Sequence, residues 1–86
     1  MRDVGVLVRE EGSQWVAFCV EEFIAAQGAT IDEALSELMT AFDVRDQLTK
    51  DPAPPAPIDL QNAYCLATHL FDMTLSEHRR AYVRQG

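Results

Sequence analysis

Eighty-six residues make room for one domain, with a buried core of limited size. A hydrophobic share of 48% excludes a wholly disordered chain, and a net charge of −7 argues against a broad nucleic-acid-binding surface. The charge is uneven: residues 1–51 hold eleven acids and four bases, whereas residues 52–86 hold three of each.

The two cysteines, Cys19 and Cys65, are too few for a disulfide scaffold and show no metal-ligand spacing. They read as small hydrophobic residues in a reducing compartment. The N-terminal apolar run is too short, and too soon interrupted by charge, for a signal peptide. No stretch is apolar enough to span a membrane. The expected location is the cytoplasm.

In chain order, Val4 to Val8 are apolar and rich in β-branched residues, which predicts a strand. Glu10 to Ser13 are turn residues. Residues 14–20 predict a second strand, with Trp15, Ala17 and Cys19 on one face and Val16, Phe18 and Val20 on the other. Two apolar faces predict a central position in the sheet. Residues 23–27 predict a third strand, ending at Gly28.

Thr30 followed by Glu33 spells a capping box, in which the threonine oxygen and the glutamate carboxylate each satisfy an amide at the helix start. Ile31, Ala34, Leu35, Leu38, Met39 and Phe42 then form one apolar helical face, so the pattern predicts a helix from 31 to about 48. Residues 51–57 contain all four prolines and read as a stiff, extended linker.

Beyond the linker, Asp59 can cap a helix beginning at Leu60. Leu60, Ala63, Tyr64, Ala67, Leu70 and Phe71 form another stripe at helical spacing. Thr74 and Glu77 spell a second capping box, so residues 58–86 predict a helical tail, as one long helix or two short ones. Arg79, Arg80 and Arg84 would then complement the helix dipole. The tail is expected to pack on the body or on a second subunit. The stripe of Leu60, Tyr64, Ala67, Leu70 and Phe71 is the candidate oligomer interface, and a homodimer or dimer of dimers is the expected assembly.

Residues 15–38 resemble the HicB-like antitoxin domain. The resemblance is carried by Trp15-Val16-Ala17, by Gln27-Gly28, and by Thr30, Glu33, Ala34 and Leu35. It covers about residues 4–42 and implies a partial RNase H fold without nuclease carboxylates. The expected class is therefore α+β: a three- to four-stranded antiparallel sheet with one main helix, residues 1–50, followed by the linker and the helical tail. Two departures mark a variant branch. The family's P-D-L-P-G-C-like loop is here Cys19-Val20-Glu21-Glu22-Phe23, and no DNA-binding domain is evident in the tail.

The resemblance implies a non-catalytic module that neutralises a protein partner, in the family a small RNA-cleaving HicA toxin. An orphan accessory protein, phage- or prophage-encoded and binding another host protein, is the alternative. Glu21, Glu22, Glu33 and Glu37 are the candidate partner-binding residues, because an acidic surface complements a basic one. Replacing Glu21 and Glu22 with lysine would then abolish capture and leave the fold intact.

Neither a cofactor nor a metal is expected. His69 and His78 are nine residues apart, and the His69–Asp72 pair reads as a surface contact. Cys65 and His69, at i and i+4 of a helix, leave a small thiol hydrolase as a remote reading, without a third orienting group. Trp15 reads as central-strand packing more than as a binding anchor.

Overall fold

The computed structural model describes all 86 residues. Strands β1 (Arg2–Glu11), β2 (Gln14–Cys19) and β3 (Ala25–Gly28) are followed by helix α1 (Ile31–Leu48). A short helix α2 (Ile58–Leu66) and strands β4 (Thr68–Ser76) and β5 (Arg79–Gln85) complete the chain. One five-stranded sheet runs in the order β3-β2-β1-β5-β4. All neighbours are antiparallel except β1 and β5, which are parallel.

The α+β class, the first hairpin and α1 match the expectation from sequence. Thr30 caps α1, its hydroxyl accepting the Glu33 amide at 3.1 Å. Ala34, Leu35, Leu38 and Phe42 are buried against the sheet, and they meet Val4, Val6 and Val8 of β1 and Ala17 and Cys19 of β2. Gly28 allows this docking: a Cβ there would stand 2.7 Å from the Ala34 amide nitrogen, so the strand passes too close to α1 for any side chain.

Two expectations are corrected. The sheet has five strands and is mixed, not three or four in an antiparallel array. β2 lies between β3 and β1, the interior position expected of it, and β1 is the middle strand. The tail is not helical beyond Leu66: a β-hairpin follows, turning at Glu77 and His78, where a second capping box was expected.

The physical reason lies in two periodicities that fit the same residues. In β5, Arg79, Ala81 and Val83 alternate with Arg80, Tyr82 and Arg84, and the first set is buried. The open edge of β1 offers β5 a ladder from Arg2↔Arg79 to Val8↔Gln85. That edge exists only in the folded molecule, and it selects strand over helix.

The proline-rich segment is extended, as expected, but it is not a free linker. The Phe23 amide donates to the Pro54 carbonyl and the Ala56 amide to the Val20 carbonyl, both at 2.8 Å. Ala53 and Ala56 are buried. The segment straps the β2–β3 loop and delivers α2 to the opposite face of the sheet from α1. There the Tyr64 ring lies flat over Gly5, where an added Cβ would meet it at 2.6 Å. The Tyr64 hydroxyl donates to the Tyr82 carbonyl at 3.0 Å. The N-cap of α2 is Pro57, with no side-chain bond, so Asp59 lies in the first turn and is not the cap. Residues 58–86 thus belong to the same body as residues 1–50. No helix is long and apolar enough to cross a membrane.

Candidate functional site

The densest polar constellation gathers around Arg79, the first residue of β5. Alternation along the strand points its side chain to the α1 face, among apolar neighbours, where it is 1% exposed. Its guanidinium lies over the Phe42 ring, 4.1 Å from the centroid. A buried cation needs full compensation, and all five N–H groups are engaged. Nε and Nη2 donate to the two Glu22 oxygens at 2.8 and 3.0 Å. Nη1 and Nη2 donate to the two Asp46 oxygens at 2.7 and 2.9 Å. Nη1 also donates to the Ser76 hydroxyl at 3.1 Å. Arg2 adds a second cation 3.3 Å from Glu22, which balances the two carboxylates.

These contacts hold the carboxyls of Glu22 and Asp46 below their ordinary range, chiefly through the hydrogen bonds from Arg79. The same bonds hold the Arg79 guanidinium above its own ordinary value. Both acids therefore bind a proton less tightly in the folded chain than in the unfolded one. Their stabilisation is complete above the ordinary carboxylate values of about 4 and is lost as pH falls through the lowered native values. The urea midpoint should accordingly be flat from neutrality down to the carboxylate range and drop below it. Glu22→Gln should flatten that drop.

A polar cleft of about 370 Å³ opens beside the cluster, lined by Arg2, Asp46, Thr49, Lys50 and His78. Each oxygen of Asp46 is already taken by Arg79, and Arg2 is turned to Glu22. The charges here neutralise one another. Their evident work is to clamp the β2–β3 loop, the end of α1 and the β4–β5 turn together.

The expected partner-binding acids do not form one surface. Glu22 is 4% exposed inside the Arg79 cluster, so it is not available to a partner. Lysine at that position would bring a third cation against Arg79 and Arg2, and the fold would not survive it. Glu21 is exposed, and its carboxylate accepts the Gly5 amide where β2 leaves β1. Glu33 and Glu37 are exposed on α1, about 20 Å along the helix from Asp46 in the case of Glu33. The acids are thus split between the two ends of the sheet.

The expected oligomer stripe is also divided. Tyr64 turns inward onto β1, and Leu60 and Ala67 are half-buried. Leu70 and Phe71 leave the helix altogether and sit on β4. Cys65 is exposed on α2, whereas His69 is on β4, so the helical i, i+4 relation between them is lost. His69 Nε2 lies 2.8 Å from Asp72 Oδ1. Burial pushes the Cys19 thiol up to about 11, which keeps it protonated. No three His, Cys, Asp or Glu side chains converge as metal ligands.

Sequence reasoning missed Arg79 as the centre of the cluster because it assigned that residue to a helix end. The alternation of Arg79, Ala81 and Val83 was the available signal, since it puts an arginine on a core face where acids must meet it. No family model, curated protein or solved structure matches the chain.

Proposed function

We propose that the protein is a non-catalytic protein-binding module of the HicB-like kind, acting in the cytoplasm, that neutralises a small basic partner of the HicA toxin class by surface binding. The observation that carries the reading is the solvent face of α1. Asp32, Glu33, Glu37 and Asp43 are all exposed there, and no basic residue shares the exposed arc. Support also comes from the residues that carry the resemblance, which are neighbours in space. Trp15 pairs with Gly28, and Thr30 opens α1 directly after that strand.

One observation favours the orphan reading, an accessory protein that binds another host protein. The β2–β3 loop, where the family's P-D-L-P-G-C-like segment would lie, is committed to the chain's own fold. Glu21 holds the Gly5 amide, Glu22 holds Arg79, and Phe23 stacks on Phe18.

The test is surface-plasmon binding of a HicA-type toxin to wild-type protein and to a Glu33→Lys, Glu37→Lys double variant. Both residues are exposed, so the fold should stand. The expected result is an association rate at least about tenfold lower in the variant and a steep salt dependence in the wild type. Absence of binding by the wild type would end the toxin reading and leave the orphan one. Equal binding by both proteins would remove α1 from the interface.

A further inference from the structure

The sheet ends in two unlike edges. β3 is four residues long, Ala-Ala-Gln-Gly, and offers little to a neighbour. β4 is nine residues long, and no strand lies beyond it. It contains neither proline nor lysine, and its only guards are two β-bulges, between His69 and Phe71 and between Thr74 and Ser76. Eight large apolar side chains are exposed in the molecule, and two of them, Leu70 and Phe71, are adjacent on this strand.

The local register explains why they are displayed. His69 pairs with Arg84 and Phe71 with Val83, so Leu70 is the extra residue of a β-bulge. The bulge sets Leu70 and Phe71 on the α1 side of the edge. It sets His69 and Asp72 together on the other side, where their 2.8 Å contact forms. Charge separates this region from the remainder of the chain. Residues 1–51 carry the whole −7, while residues 52–86 are neutral, with three acids and three bases. Two copies meeting through their N-terminal halves would repel, and two meeting through β4 would not.

We propose that the free edge of β4 takes a second copy of this chain, antiparallel, with the two-fold axis between Leu70 and Phe71. In that register each Leu70 faces Phe71 of the other copy, and each His69 faces its Asp72. The four apolar side chains cluster on the α1 side, and two imidazole–carboxylate pairs face each other on the opposite side. The bulge interrupts the main-chain ladder at the axis, so side chains hold the contact there. Leu60 and Tyr64 of the expected helical stripe take no part. The surface uses none of the acids of α1, so it stands apart from the proposed toxin contact.

Sedimentation equilibrium of the full chain over a micromolar to sub-millimolar range tests this. The wild type should reach the dimer mass. Leu70→Lys and Phe71→Lys should weaken dimerisation by about tenfold or more, with unchanged circular dichroism. Ile58→Lys, at an exposed apolar position away from the edge, should leave dimerisation intact. In a Cys65→Ser background, Leu70→Cys should yield a disulfide-linked dimer on mild oxidation, because the two copies of residue 70 flank the axis. That measurement holds even if a lysine variant fails to fold. A wild type that stays monomeric throughout would overturn self-association altogether. A dimer insensitive to Leu70→Lys and without the disulfide would overturn this surface alone.

Discussion

Replacing Arg79 with methionine is expected to destabilise the fold by about 3–5 kcal/mol, because it strands a buried carboxylate and not because an ion pair is itself strongly stabilising. Glu22 is 4% exposed and takes two of the five guanidinium bonds. Without that cation it keeps only the half-exposed Arg2, 3.3 Å away, as a charge partner, and loses both guanidinium bonds. Arg79→Lys should recover little, since an ammonium has three donors and no planar fork to span Glu22, Asp46 and Ser76. Removing the stranded partner as well should recover much more. The Arg79→Met, Glu22→Leu double variant should be more stable than Arg79→Met alone, since Asp46 is one-third exposed and keeps its water. Urea unfolding at neutral pH measures all four proteins. An 86-residue domain has a stability of about 4–13 kcal/mol in total, so the single variant should lie near its unfolding threshold. A loss below about 1 kcal/mol would mean that the cluster is dispensable.

Phe42→Ala should be comparably severe, at about 3–5 kcal/mol. Phe42 is fully buried at the C-terminal end of the apolar face of α1, and its ring carries the Arg79 guanidinium at 4.1 Å. Truncation opens a cavity between helix and sheet and removes the ring that covers the cation. Phe42→Leu keeps most of the volume and loses the ring, so its cost should be nearer 1–2 kcal/mol. Combining Phe42→Leu with Arg79→Met should give less than the sum of the two losses, with a coupling of about 0.5–2 kcal/mol. Strict additivity in the urea midpoints would show that ring and cation act independently. Both variants should also loosen the β4–β5 hairpin, whose turn is tied to α1 through the cluster. Faster amide exchange at Ala81 and Val83 would report it.

The two halves of the chain differ in how much of this their sequences reveal. The helix from Ile31 to Leu48 was legible because its determinants are local: a Thr30 cap, acids in the first turn, and apolar residues at a period of 3.6. The β1–β2 hairpin was legible for the same reason, with alternation on each side of a Gly12-Ser13 turn. The stiffness of residues 51–57 followed from four prolines, although their docking on Val20 and Phe23 did not. In the candidate site, the exposure of Glu33 and Glu37 followed from helical phase, whereas the burial of Glu22 could not. Its partner Arg79 is 57 residues away in sequence.

Residues 68–85 were decided by tertiary structure alone. Leu70, Phe71, Tyr82 and their neighbours satisfy both a helical stripe and a strand alternation, and local propensity does not choose between them. The unpaired edge of β1 chooses: a parallel ladder from Val4↔Ala81 to Val6↔Val83 buries Ala81 and Val83 against α1. The same choice carries Arg79 into the core, where Glu22 and Asp46 are already in place to receive it. Short-range chemistry therefore determined the first hairpin and α1. The C-terminal strands, and the ion cluster that fastens them, depend on a sheet edge that exists only once the first half has folded.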